Sequence, residues 1–487
     1  MEEEKYKLLC QTCDSILLAE DAKTETIAIS WLHVMREHPL FLCQYDCLFT
    51  KTSFWETFAS NLYRTLKKLL QSAKLIFHLF KMTNRFWIGE LKKQHSYDVI
   101  FVSHLLNISD LSVEDDFYFN KVPQDLLDKD IKVLIVLINH TSLSNKVINH
   151  TIKTLSIPRL VIPEFLPISE EIRIWKRTNK ESNNLRKSAK YESNEFRKSV
   201  LKKSALEASS NSTKTSFRIA GAIREIIKKS HPKAIITTYE GHAWERLVFA
   251  TARTINQEIR CIGYQHAALF RLQHAAKRSA GALYDPDLIL TAGPVTLRQL
   301  KSSQSFTGTK FDILGSNRSL KISQPKLREM CLVLPEGILK ECEILFSFSL
   351  QCAISCPSVH FIWRLHPIIS HEMLKQCGVE FTNLPSNIEI SSQNFVDDIA
   401  RSKWALYRGS TAIITATANG VIPIYLAQTR ELSIDPLYEI SESHPYIETP
   451  HQFLDVLEAA VLNPELVNYC NEFYSPFDVS VLADQLI

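Results

Sequence analysis

No stretch of this 487-residue chain approaches the roughly 20 consecutive apolar residues of a membrane span, and the net charge is only +3. The first absence argues against a membrane-spanning protein, and the second leaves charge silent on any nucleic-acid partner. The opening "MEEEKYKLLCQTC" is acidic where a secretory leader is basic, so a cytoplasmic protein is expected. There is no GxxxxGK[ST], and no GxGxxG follows the first strand-like run. Those two gaps argue against P-loop nucleotidases and ordinary Rossmann dehydrogenases. Self-similarity with a period of about 20 to 50 residues is also missing, which excludes a solenoid.

The chain carries eleven cysteines, which are expected to stay reduced. Cys10 and Cys13 form a CxxC and Cys43 and Cys47 a looser CxxxC, a set that zinc ligation allows. Their neighbours in "KLLCQTCDSILL" and "PLFLCQYDCLF" are apolar and suit small buried thiols equally well. No metal site is assigned.

What is present is the composition of a globular protein, 45% hydrophobic and 22% charged, on a chain long enough for at least two cores. Residues 53–92 read as one helix, with an apolar stripe from Leu62 to Phe80 flanked by Arg64, Lys67, Lys68, Lys74 and Lys81. Such a helix either docks on the core or lies on an anionic membrane surface. Short β-rich runs then alternate with helical ones. They fall at 97–105, 131–139, 158–166, 232–239 and 259–266, and again at 288–293, 311–316, 330–337, 360–367, 387–392, 404–410 and 421–426. Most are apolar on both faces, as in parallel strands covered by helices.

Two consecutive α/β doubly wound domains are expected. The first spans 1–287, with a helical elaboration at 1–95 and a basic insert at 170–215 read as exposed helix plus mobile loop. The insert's lysines and arginines also suit an anionic polymer or lipid head groups. The second domain spans 288–487, with the last helix placed against the first domain.

Ligands of doubly wound sheets bind beyond the carboxyl ends of strands. Those ends are polar here: Glu240, Gly241 and His242 after one run, Gln265 and His266 after another, then Glu336 and Gly337 in "LPEG". "WRLHP" supplies Arg364, His366 and Pro367, with arginine and histidine placed on one face by alternation. "YRGSTAIITATANG" supplies Arg408, Gly409, Ser410 and Thr411, read as a tight turn into a helix whose N-terminus suits an anion, with Ser410 as its cap. Glu240 has a structural alternative as helix cap or as partner of Arg246. The Asp-x-Asp of Asp285 and Asp287 reads as a turn.

The order "YEG", "GYQHA", "RLHP", "RGST" resembles bacterial CMP-sugar glycosyltransferases of GT-B architecture, the group of sialyltransferases and surface-polysaccharide Kdo transferases. Glu240-Gly241, His366-Pro367 and Ser410-Thr411 match its three elements, while Tyr239 stands in place of the family's first acid. The resemblance implies transfer of a 2-keto sugar acid from CMP-Kdo to a growing, lipid-linked glycan of lipopolysaccharide, O-antigen or capsule, at the inner face of the membrane and without cofactor. It gives Glu240 the part of nucleophile in a retaining reaction or of base in an inverting one, with His242 and His266 beside it as acid/base groups or sugar ligands. His366, Ser410 and Thr411 would hold the donor's phosphate or carboxylate, and Gln265 and Gly241 would meet the acceptor or sugar.

Overall fold

In a computed structural model of the chain, residues 1–49, 85–91, 96–141, 143–152, 155–318, 330–376, 378–379, 383–429 and 431–486 are described. Most of the helix expected over 53–92 lies outside the described residues. Residues 85–91 are not helical: Ile88 pairs antiparallel with Val161. Gly89 sits at φ 104°, where a Cβ would come within 2.7 Å of the Arg159 carbonyl oxygen.

Seven strands build the first sheet: β1 (Val99–Leu105), β2 (Val133–Asn139), β3 (Arg159–Ile162), β4 (Ala234–Thr238), β5 (Arg260–Gln265), β6 (Leu288–Thr291) and β7 (Lys310–Ile313). Their order is β3-β2-β1-β4-β5-β6-β7. Six build the second: β8 (Met330–Leu334), β9 (His360–Trp363), β10 (Ile388–Ile390), β11 (Ser402–Tyr407), β12 (Ile422–Leu426) and β13 (Tyr446–Ile447), in the order β10-β9-β8-β11-β12-β13. Every neighbouring pair within the two sheets is parallel. The strands read as apolar on both sides because both sides are covered: in β1, Ile100 and Val102 enter one core while Val99 and Phe101 enter another. This is the expected α/β architecture, two consecutive doubly wound sheets with a helical amino-terminal elaboration. Strand order reverses between β1 and β4 and between β8 and β11, which puts a switch point in each sheet.

The expected boundary after residue 287 falls inside the first sheet. Strand β6 pairs with β5, Ile262 beside Leu288, and β7 follows it, so the change of sheet comes between Ile313 and Met330. An alternation of strands and helices carries no local mark for where one parallel sheet stops and the next begins. The helix Ser480–Leu486 returns to the first sheet, burying Leu482, Ala483 and Leu486 with Val99 and Phe101.

The basic insert is a set of helices rather than helix plus loop: Ile168–Tyr191, Glu195–Glu207 and Asn211–Ser230. Its serine-rich stretch closes one helix and opens the next. Ser210 Oγ accepts the Thr213 N–H at 3.3 Å, and Ser204 and Ser216 are buried. The amino-terminal helix Glu3–Leu17 buries Tyr6, Leu9, Cys10, Cys13, Ile16 and Leu17 in the same core. Among the described residues no helix is long and apolar enough to cross a membrane.

Candidate functional site

Strand β4 ends at Thr238, and the polar lip that follows is shaped by one buried acid. Glu245, in the first turn of helix Ala243–Ile255, reaches back to accept the backbone N–H groups of Glu240 at 3.1 Å and of Gly241 and His242 at 2.8 Å. Glu245 therefore satisfies the orphan donors that a cap must satisfy. Burial pushes its carboxyl up to about 7 against the opposing pull of His242 and these N–H groups. Arg246 is also taken, by Asp285 at 2.6 Å and by the Ala275 and Arg278 carbonyls. Both structural roles open to Glu240 thus belong to other residues. Gly241 has φ 85°, and a Cβ there would lie 2.2 Å from the Ala275 carbonyl oxygen. Its glycine is required by this backbone approach, not by room for a sugar. Asp285 holds the turn through Ser279, Ala280 and Gly281 as expected, while Asp287 accepts the Cys261 N–H of β5, and each also takes an arginine, Arg246 and Arg253.

The Glu240 carboxylate is 12% exposed and faces three cationic or ionisable groups: Arg36 Nη2 at 3.3 Å, His242 Nε2 at 3.4 Å and His266 Nε2 at 3.9 Å. Burial alone would raise its pKa, but Arg36, His242 and His266 together hold it well below the usual carboxylate range. Burial works against the charge on His242, yet Glu240 and Glu245 raise it above its ordinary value. His266 is the opposite case, depressed by burial to about 4. The Tyr118 ring packs edge-on against it at 4.5 Å. At the end of β1, His104 bonds His140 at 2.7 Å and Thr238 Oγ1 at 2.9 Å. Gln265 is fully buried; its Nε2 donates to the Ala267 carbonyl at 2.6 Å, while its Oε1 has no hydrogen-bond partner among the described residues.

From the second sheet, Glu336 follows β8 and packs where a Cβ on Gly409 would come within 2.2 Å of its Oε1. A Cβ on Gly337 would come within 2.9 Å of the His366 ring, so "LPEG", "RLHP" and "RGST" do meet. His366 Nδ1 accepts the Ile368 N–H at 3.4 Å, which leaves Nε2–H as the outward donor. The two expected arginines do not accompany it. Arg364 pairs with Asp398 at 2.6 Å and with the Gln393 carbonyl, because β9 ends at Trp363 and the alternation that put Arg364 on the face of His366 stops there. Arg408 is buried between Glu341 at 2.6 Å and Glu431 at 2.9 Å. The cation that does reach this region is Arg318, whose Nη1 donates to Thr411 Oγ1 at 3.2 Å and whose charge bears on both His266 and His366. Ser410 is buried before a short helix, Ala412–Ala418, whose N-cap position is Thr411; Thr411 makes no side-chain cap bond. Ser410 therefore does not occupy the cap expected of it.

Among the described residues, His38, Glu336 and Glu341 are the one group of three metal-type ligands whose atoms lie within 4.8 Å of one another. Their chemistry does not fit a cation. His38 Nδ1 accepts the Leu40 N–H at 3.2 Å, so the ring proton sits on Nε2 and points at Glu336 (3.4 Å) and Glu341 (3.7 Å). The four cysteines weighed for zinc are not drawn into one cluster: Cys10 and Cys13 are buried and Cys43 and Cys47 exposed.

Sequence reasoning missed Arg36, His38, Arg318 and Tyr118. "MREHPL" offered a signal, with charged groups before a proline, but nothing local shows that residues 36–38 meet strand ends about two to three hundred residues later.

No family model and no curated protein matches the chain. Solved structures do, at low identity. The glycotransferase of kitacinnamycin is 12% identical over 80% of this chain and 98% of its own, with a TM-score of 0.44. The UDP-GlcNAc 2-epimerase of Neisseria meningitidis, bound to UDP-GlcNAc, and the MurG of Acinetobacter baumannii are each 11% identical over 80% of this chain and 99% of theirs, with TM-scores of 0.46.

Proposed function

We propose that the cleft transfers a sugar from a nucleotide donor, with Glu240 as the reacting carboxylate. The observation that carries this reading is that Glu240 is spared every structural task at the lip, yet is kept ionised by Arg36, His242 and His266. A general base works best with a pKa near the working pH, whereas a carboxylate held this low is a weak base and a standing anion. Attack is therefore favoured over deprotonation.

In the finer form the donor is a CMP-linked 2-keto sugar acid, with Kdo foremost, and the acceptor a lipid-linked surface glycan met at the inner face of the cytoplasmic membrane. A Glu240 oxygen bonds the anomeric carbon as that carbon's bond to the CMP phosphate oxygen breaks, and the electron pair departs with CMP. Loss of the Glu240 charge removes part of what raises His242, leaving only Glu245, and the 37% exposed His242 gives up its proton to water. An acceptor hydroxyl then displaces Glu240 and passes its proton to His242, and configuration is retained. His366 Nε2–H, Arg318 and the hydroxyls of Ser410 and Thr411 would hold the donor's phosphate or carboxylate, and no metal enters the step.

Calorimetry with CMP, UDP and GDP tests the donor, and turnover by Glu240→Gln and His366→Ala tests the site. CMP is expected to bind, and Glu240→Gln to lower transfer by at least about 100-fold. Binding of UDP alone would transfer the reading to a UDP-sugar, binding of none would leave a glycan-binding relative, and unchanged turnover in both variants would remove the site.

A further inference from the structure

One three-residue segment of the amino-terminal elaboration touches both sheets at the reacting centre. Arg36 reaches Glu240, which follows β4. Glu37 is fully buried and its Oε1 accepts the Leu272 N–H at 2.8 Å, on the loop that follows β5. His38 is 1% exposed, and its Nε2 faces Glu336 after β8 and Glu341 in the following helix Leu339–Ser355 at 3.4 Å and 3.7 Å, as ion-pair contacts without a hydrogen bond. Pro39 opens the next short helix, and His38 Nδ1 caps it. The Arg36 guanidinium lies 5.7 Å from the Phe41 ring, which limits the directions its side chain takes.

We propose that residues 36–38 form a latch between the two sheets, in which Arg36 is a positioning residue for the Glu240 carboxylate and His38, seated against Glu336, fixes where Arg36 stands. This rests on the assignment of Glu240 as the reacting group. It adds that the reacting group is completed from outside its own sheet. The groups facing Glu240 are Arg36 from the latch, His242 and Glu245 from the β4 lip, His266 after β5, and His104 and Tyr118 at and after the end of β1; Arg36 in turn also feels Glu336. Arg36 is the one permanent cation in direct contact with that carboxylate among the described residues. A separation of the sheets that drew His38 away with Glu336 would carry Arg36 with it, so the carboxylate would have its lowest proton affinity and its alignment only when the sheets are together.

The test reads the carboxylate itself and needs neither donor nor acceptor. In the full chain labelled with side-chain [13C]glutamate, the Glu240 resonance is assigned by its loss in Glu240→Gln and titrated between pH 3 and 8. An opposite charge within about 4–6 Å lowers a carboxyl pKa by about 1–3 units, and a 41% exposed arginine belongs at the low end. Arg36→Gln is therefore expected to raise the Glu240 midpoint by about one unit, a tenfold change in its proton affinity, and Arg36→Lys to restore part of it. His38→Gln and Glu336→Gln are expected to move it in the same direction although Arg36 is intact. The Arg36 side chain is 41% exposed, so its substitution leaves the core in place, and Glu336→Gln supplies the latch test should His38→Gln fail to fold. An unmoved midpoint in Arg36→Gln overturns the positioning role, and unmoved midpoints in the latch variants overturn the coupling. Failure to find sugar transfer with any nucleotide would refute the proposed reaction while leaving this titration intact.

Discussion

Gly241→Ala should loosen the lip that presents Glu240, and the cost can be worked through. The glycine has φ 85°, and an alanine in left-handed backbone costs about 1–2 kcal/mol. The new Cβ would also lie 2.2 Å from the Ala275 carbonyl oxygen and 2.8 Å from the Ala276 nitrogen. Reaching an ordinary contact of about 3.3 Å needs the two backbones to part by about 1 Å. That displacement takes the Ala275 carbonyl out of reach of Arg246 Nη2, now 3.1 Å away, and strains the neighbouring 2.7 Å bond to Arg278. Arg246 is fully buried, so a weakened hydrogen bond to its charge adds about 1.5–3 kcal/mol. The sum is about 2.5–5 kcal/mol, a large fraction of the stability of an ordinary domain. Thermal unfolding followed by calorimetry should show the transition of the first sheet lowered by about 10 °C, with that of the second sheet unmoved. A variant that melts within about 2 °C of the parent would refute the claim that close packing at residue 275 is what demands the glycine.

Two further predictions concern buried charge. His104 and His266 are held neutral by burial, at about 3 and about 4. Unfolded, each takes a proton near pH 6.5, so stability should fall as pH drops from 6.5 toward 4, by up to about 1.4 kcal/mol per unit for each histidine. Urea midpoints at pH 7.5, 6 and 5 measure this; His104→Gln should flatten the slope, and a flat parent profile would contradict the assignment. Arg408→Met leaves Glu341 buried without its 2.6 Å partner and should cost about 3–5 kcal/mol in chemical denaturation, much of it recovered by adding Glu341→Gln. Full stability combined with lost nucleotide binding would instead return Arg408 to the ligand-binding role expected from its place after β11.

How much of the site was legible depended on what each residue needs. Glu240, His242, His266, Glu336 and His366 stood out because each follows an apolar run that can only be a buried strand, and polar groups at strand ends of a doubly wound sheet are where ligands bind. The arginines were misjudged for a shared reason. Arg364 and Arg408 sit beside the right motifs, but a guanidinium reaches far along its stem and pairs with whatever carboxylate the fold supplies, here Asp398 and Glu341. The helix over 168–191 and its neighbours looked like solvated charge, because a helix that buries only one stripe keeps most of its lysines and arginines in the sequence.

The sequence by itself determined the class of the protein. Its strand runs are short, apolar on both faces and separated by helical periods, and local pattern suffices for that because backbone hydrogen bonding and burial act within a few residues. Only the tertiary structure decided which sheet each strand joins, since parallel pairing is made across helical crossovers that leave no register in the sequence. Only it could free Glu240 from capping, by assigning that work to Glu245, and give it Arg36 from a segment that looked merely helical. A carboxylate's role follows from the charges within a few ångströms of it, and those are set by contacts between residues far apart in the chain.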